Sequence, residues 1–180
     1  MPPEDPSQFT YSEFDKGVLE RTKWFSNTQL AYQAVQSSKT RTFGFSVHDS
    51  PAALLAWVAD KLFAWADDYP WTPTEIITWT LLHYFPGPTT ALEFYRENLP
   101  PLFVPPPEMM QGNYVKVPTG LSAFPKEALF APRAWVEKEN NVVFWKEHTS
   151  GGHFAAWERP EELVEDVTQF IKANWKRHNM

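Results

Sequence analysis

The order of secondary-structure patterns in residues 114–180 constrains the fold of this chain more than any other feature. Two short runs rich in β-branched and aromatic residues, 114–124 and 140–145, are each followed by a segment with helical character. The order strand, helix, strand, helix is typical of a parallel sheet. Because parallel sheets are covered on both faces and flanked by further strands, two strands do not complete one. The sequence therefore predicts an α/β fold with an incomplete sheet.

Both helical segments of this region carry local signals. Residues 126–139 favour a helix that breaks at Pro132, where the backbone donor is missing. The last helix is predicted to start at Pro160, with Glu161 and Glu162 in its first turn and lysines and an arginine in its final turns. This charge distribution suits both ends of the helix dipole.

Residues 10–99 show helical patterns instead of strands. The two clearest helix starts are Ser50-Pro51, an N-cap followed by proline, and a capping box from Thr72 to Glu75. A further helix is predicted over residues 11–34, with a break around 26–28, and a short one follows the Pro-Gly-Pro sequence at 86–88.

These patterns divide the chain into four parts. Residues 1–9 are a polar, proline-containing tail that we expect to be disordered, and residues 10–99 are a helical region. Residues 100–113 contain five prolines and no periodic pattern, so they are predicted to be a linker. Residues 114–180 hold the two strand-helix units.

The composition excludes several classes of function. A formal charge of −6 provides no basic surface for nucleic acid, and the chain has no cysteine for disulfides or thiolate metal sites. We find neither a signal peptide nor an apolar stretch of membrane-spanning length. A cytoplasmic location is therefore the expectation, and aromatic residues at 16% argue for a folded chain.

His153 is the first candidate for chemistry. It follows Gly151-Gly152 on the loop between the second predicted strand and the last helix, where it could meet a substrate. The alternative is a structural histidine that bonds a backbone carbonyl. None of the five histidines forms an HExxH pattern, so we expect no metal site and no cofactor.

Glu127 is the second candidate, because it follows the first predicted strand and precedes His153 by 26 residues. In α/β-hydrolases the order along the chain is nucleophile, acid, histidine. The acid fixes the imidazole tautomer and stabilises the imidazolium once it takes a proton. The alternative is that Glu127 only begins a helix, where a carboxylate suits the dipole.

Three segments together resemble the C-terminal half of microsomal-type epoxide hydrolases, which are α/β-hydrolases: Asp49–Trp57, Val117–Glu127 and Gly151–Leu163. The resemblance implies a fold in which a helical lid, residues 10–99, precedes the last two strand-helix units. It implies that Glu127 is the charge-relay acid and His153 the base. It also implies that Tyr32 and Tyr95 are the lid tyrosines that hydrogen-bond the epoxide oxygen of a small apolar substrate; without it, each is expected to be a core aromatic.

The nucleophile that the resemblance requires is not found in the sequence. The glycines are at 17, 44, 87, 112, 120, 151 and 152, and no two are four apart, so a G-x-nucleophile-x-G elbow is absent. None of the histidines is followed by glycine, so the family's His-Gly-x-Pro oxyanion loop is absent too. We therefore expect the chain alone to be inactive.

Three interpretations stay open at this point. The chain can act with a complementing N-terminal half or as a homo-oligomer, it can be a truncated non-catalytic fragment, or it can be an esterase or peptidase of the same fold. Since the last residues predict an unpaired sheet edge, we expect poor solubility of the isolated monomer.

Overall fold

The computed structural model describes residues 8–98 and 114–175. The predicted linker, residues 100–113, and most of the predicted tail, residues 1–9, lie outside the described residues. Two compact units are present: a sheet unit made of Met1–Lys23 and Pro107–Met180, and a helical unit made of Trp24–Pro106.

The sheet unit contains two parallel strands, as predicted. Strand β1, Val115–Ala123, pairs with β2, Asn140–Glu147, so that Leu121 lies opposite Trp145. The crossover contains helix α7, Arg133–Glu139. The chain then runs from β2 through a short helix α8, Ala155–Glu158, into α9, Pro160–Asn174.

Helix α9 packs against the sheet where a glycine makes room for it. A Cβ atom built at Gly120 in β1 would lie 2.7 Å from the Phe170 ring of α9. The same ring lies edge-on to Phe144 of β2, with 6.4 Å between centroids. Two apolar side chains of this unit, Val117 and Val164, are 65% and 64% exposed.

The helix predicted from residue 126 is wrong in its first half. Residues 126–132 contain turns and bends, and the helix α7 starts only after Pro132. The reason is local: the amide of Glu127 donates to the carbonyl of Phe124, which closes a tight turn. Glu127 therefore does not begin a helix, and the dipole role considered for it is wrong.

The remaining elements are six helices among the described residues. The first, α1 Glu13–Thr28, begins in the sheet unit and ends in the helical unit. The others belong to the helical unit: α2 Ala31–Ser38, α3 Thr40–Asp49, α4 Pro51–Trp65, α5 Pro73–Tyr84 and α6 Pro88–Asn98. The break in the first predicted helix lies at residues 29–30 instead of the predicted 26–28. Helix α3 was not predicted. None of the helices in residues 8–98 and 114–175 has the length and apolar character that a bilayer span demands.

The core of the helical unit forms around α4. Leu54, Val58, Leu62 and Trp65 of this helix are buried, and the Phe25 ring packs on Trp65 with 5.4 Å between centroids. These are the apolar positions expected for one face of a helix. Both predicted caps are confirmed: Ser50 Oγ accepts from the Ala53 amide, and Thr72 and Glu75 form a complete capping box.

The capping box gives the first testable prediction. Thr72→Ala removes the hydroxyl that accepts from the Glu75 amide, so we expect the free energy of unfolding to fall by about 1 kcal/mol. Thr74→Ala, two residues later on the exposed surface, is the matched control because it leaves the box intact. Denaturant unfolding followed by circular dichroism measures both; equal stability of the two variants would contradict a stabilising cap.

Candidate active site

The turn that follows β1 and the loop that follows β2 are joined by backbone pairing. The amide of Lys126 donates to the carbonyl of Gly151 at 3.0 Å, and Lys126 forms an isolated parallel bridge with Gly152. We call residues 124–128 the acid turn and residues 151–154 the histidine loop. Because parallel strands end at the same edge of a sheet, the pairing places the two segments side by side.

This arrangement brings Glu127 to His153. Glu127 Oε1 and His153 Nδ1 lie 2.6 Å apart, slightly closer than the usual separation in a charge-assisted hydrogen bond from nitrogen to oxygen. Glu127 also accepts a hydrogen bond from the Ala128 amide. Because Nδ1 is directed at the carboxylate, Nε2 is the other ring atom that can carry or accept a proton.

The carboxyl group of Glu127 is held in its charged form. Burial alone raises its pKa, but the hydrogen bond and charge of His153 outweigh burial, and the Ala128 amide and the Arg21 charge add to the lowering. The pKa of Glu127 is therefore below its usual value. Its contribution to stability is present above the unfolded-state pKa and is lost as the pH falls through the lowered folded-state pKa.

A second carboxylate, which the sequence did not reveal, shapes the histidine loop. Glu158 is 5% exposed and accepts from the amides of both Gly152, at 3.1 Å, and Phe154, at 3.0 Å. The amides on either side of His153 are thus fixed by one side chain. No sequence signal marks this contact: Phe154 is the N-cap of helix α8, and Glu158 lies four residues later, one position beyond the N3 residue of a capping box.

The two predicted lid tyrosines meet inside the helical unit. Tyr32 of α2 and Tyr95 of α6 have ring centroids 5.8 Å apart at an angle of 78°, and Trp65 packs on Tyr32 at 5.2 Å. Burial, followed by the charge and hydrogen bond of Tyr95, raises the pKa of Tyr32 to about 12. The phenol therefore remains protonated, as a hydrogen-bond donor, at neutral pH.

The structure thus groups the four predicted residues into two pairs: Glu127 with His153 in the sheet unit, and Tyr32 with Tyr95 in the helical unit. Among the described residues, no three histidine or acidic side chains are grouped as metal ligands would be. Two other histidines have structural partners: His83 Nδ1 lies 2.8 Å from the Trp79 carbonyl, and His148 pairs with Asp166.

The chain is similar in sequence to proteins named as epoxide hydrolases. It is 32% identical to a candidate epoxide hydrolase of Dothistroma septosporum, over 94% of this chain and 40% of that protein. It is 31% identical to epoxide hydrolase 1 of Sus scrofa, over 91% of this chain and 39% of that protein. The chain therefore spans about two fifths of the length of the curated relatives it matches. No family model matches it.

Solved structures give the same result for the fold. The epoxide hydrolase of Aspergillus niger matches with a TM-score of 0.81 and 36% identity, over 97% of this chain and 43% of that one. Juvenile hormone epoxide hydrolase of Bombyx mori matches with a TM-score of 0.79 over 93% of this chain and 43% of that one, and at 24% identity it shows the fold alone. The predicted resemblance is confirmed, as is the fold class: part of an α/β-hydrolase with a helical region and an incomplete sheet.

The backbone of the histidine loop generates a prediction. Gly151 has a φ of +111°, and a Cβ atom there would lie 2.6 Å from Phe124 Cδ1. We expect Gly151→Ala to lower the free energy of unfolding by about 1–3 kcal/mol through backbone strain. Gly17→Ala is the control, since nothing lies within 4 Å of a Cβ in that helix and alanine should stabilise it by about 0.5–1 kcal/mol. Denaturant unfolding measures both, and a neutral Gly151→Ala variant would contradict the described turn.

Proposed function

We propose that this chain provides the acid-histidine pair and the tyrosine donors of an epoxide hydrolase, which converts an apolar epoxide to a vicinal diol through an ester intermediate. The observation that carries the proposal is the 2.6 Å hydrogen bond between Glu127 and His153 at the ends of neighbouring parallel strands. Its geometry matches the last two members of a hydrolase triad. The similarity to epoxide hydrolases supplies the reaction.

In the first step, a carboxylate nucleophile attacks one carbon of the epoxide and the carbon-oxygen bond of the ring breaks. The departing oxygen acquires negative charge and must receive a hydrogen bond or a proton. By similarity, Tyr32 and Tyr95 donate to this oxygen. The raised pKa keeps the Tyr32 phenol protonated, so it can donate a hydrogen bond, but full proton transfer to the alkoxide is less favourable than from a phenol with the usual pKa.

In the second step, the ester between nucleophile and substrate is hydrolysed. His153 Nε2 takes a proton from water, and the resulting hydroxide attacks the ester carbonyl. The tetrahedral intermediate then collapses to the regenerated carboxylate and the diol, whose two oxygens take up the proton held by His153 and the proton carried by the attacking hydroxide. Glu127 stabilises the imidazolium during this step, which its lowered pKa favours because the carboxylate is already charged at neutral pH.

The nucleophile must come from a complementing segment. Residues 1–180 contain neither two glycines at elbow spacing nor a histidine followed by glycine. A second copy of the same residues would repeat this gap, so a homo-oligomer does not supply what is missing. We therefore favour a complementing N-terminal half as the partner over self-association.

Several tryptophans of the helical unit make packing and hydrogen-bond contacts within that unit. Trp65 and Trp71 are buried, and their indole N–H groups bond Gln29 Oε1 and the Leu62 carbonyl. Trp57 bonds Gln36 in the same way at 3.2 Å. The preference for an apolar epoxide therefore rests on the similarity. Detoxification of such electrophiles and a cytoplasmic location are part of the proposal.

A complementation assay tests the proposal. The chain is mixed with an N-terminal segment of a relative that carries the elbow and the oxyanion loop, and diol formation from styrene oxide is measured. We expect diol only from the mixture. His153→Ala and Glu127→Gln should reduce turnover, with a loss of about 10²–10⁴-fold for the base. Tyr95→Phe should also slow it, whereas Tyr84→Phe in the same unit is the matched control and should not.

The same assay separates the two steps. With His153→Ala, the complementing segment should gain the mass of one epoxide, because the ester forms but is not hydrolysed. Tyr95→Phe should instead slow the formation of that adduct. Turnover by the chain alone would contradict the missing nucleophile, and hydrolysis of a p-nitrophenyl ester without diol formation would favour an esterase.

A further inference from the structure

A second histidine-carboxylate pair lies in the sheet unit and has no part in the proposed reaction. His148 Nε2 and Asp166 Oδ2 are 2.7 Å apart, and the side chains are only 8% and 1% exposed. Unlike exposed ion pairs of the chain such as Lys16 with Glu13, the pair of His148 with Asp166 is buried. Since a buried charge is stable only when it is well paired, the contacts around Asp166 define what the pair can do.

Asp166 joins a helix to both strands. It lies in the middle of α9, and its Oδ1 atom is 3.2 Å from Lys146 Nζ on β2. Burial raises the pKa of Asp166, but hydrogen bonds from His148, Ser122 and Lys146 outweigh burial and lower it. Ser122 belongs to β1 and His148 directly follows β2, so one charged carboxylate connects three elements.

The imidazole of His148 in turn supports the acid turn. It stacks on the Phe124 ring with 4.4 Å between centroids and 8° between planes. The His148 amide also donates to the Ala123 carbonyl at 2.9 Å, which continues the pairing of β1 and β2 beyond the strands. The ring is therefore held from one side by Asp166 and lies flat against the residue that opens the acid turn.

Phe124, the first residue of the acid turn, also contacts the histidine loop. Its carbonyl accepts from the Glu127 amide, which sets the turn that presents the carboxylate. Its Cδ1 atom lies so close to Gly151 that a Cβ there would be 2.6 Å away. A shift of the Phe124 ring would disturb Gly151 in the histidine loop, and a shift of the Phe124 backbone would disturb the turn that presents Glu127.

We propose that His148 and Asp166 are positioning residues that fix the Phe124 ring and, through it, the separation of Glu127 and His153. This inference rests on the proposed function for its purpose, since a base must be held in one orientation to act. A purely stabilising role would be served equally well by apolar side chains, because replacing a buried ion pair by well-packed apolar residues is often neutral or stabilising.

The test uses the pKa of Glu127 in the 180-residue chain, followed by carboxyl ¹³C NMR. His153→Asn sets the scale: removing the histidine should raise the pKa of Glu127, because its bond and charge lower that pKa. His148→Phe keeps a ring against Phe124 but loses the bond to Asp166. We expect it to raise the pKa of Glu127 by about half a unit, a threefold change in the ionisation constant.

Two further variants keep the test decisive. Asp166→Asn preserves size and can still accept from His148, so it should fold and cause a smaller rise in the same direction. Phe170→Leu, one turn further along α9, removes packing against Phe144 without touching His148, so it should lower the melting temperature and leave the pKa of Glu127 unchanged.

The outcomes separate the two proposals. One outcome is that His148→Phe and Asp166→Asn lower the melting temperature, as Phe170→Leu does, but leave the pKa of Glu127 unchanged. Another is that both variants fail to fold. In either case the pair is only structural and the inference is overturned. If His153→Asn leaves the pKa of Glu127 unchanged, the Glu127–His153 pair itself is wrong. Both the proposed function and the positioning role of His148 and Asp166 then fail.

Discussion

The parallel pairing of β1 with β2, and its continuation past the ends of both strands, is the constraint on which the site depends. The pairing runs from Val115 opposite Asn140 to Ala123 opposite Glu147, and the Lys126 amide then reaches the Gly151 carbonyl. Since parallel strands end at one edge, the segments that follow them lie next to each other there. Glu127 and His153, which are 26 residues apart in sequence, become hydrogen-bonded partners because of this backbone arrangement.

Around this edge, buried carboxylates determine the local geometry. Glu158 fixes the amides on both sides of His153, and Asp166 holds the imidazole that stacks on Phe124. Asp166 is held in its charged form because several donors surround it. The fold thus places Glu127 and His153 in two neighbouring segments that these buried polar contacts hold in place.

The sequence predicted what local signals encode. The caps at Ser50 and Thr72 and the order of strands and helices follow from residue type and spacing, and the structure has them. Glu158 was missed because it bonds amides four and six residues before it, a spacing that matches no capping pattern, and the pair of His148 with Asp166 was missed because these residues meet only in the folded structure. Helix α3, with its glycine, threonines and serine, has weak propensity and is held by packing: a Cβ at Gly44 would lie 2.9 Å from Thr89. The roles of Tyr32 and Tyr95 were predicted from the resemblance alone, and the contact between their rings is seen only in the structure.

Proton NMR of the ¹⁵N-histidine-labelled chain shows whether Glu127 and His153 form a charge-assisted hydrogen bond in solution. We expect a far-downfield resonance from the proton on His153 Nδ1, which Glu127→Gln shifts upfield because an amide oxygen accepts more weakly than a carboxylate. A spectrum without such a resonance for His153, or one that Glu127→Gln leaves unchanged, would show that the two side chains are not bonded in this way.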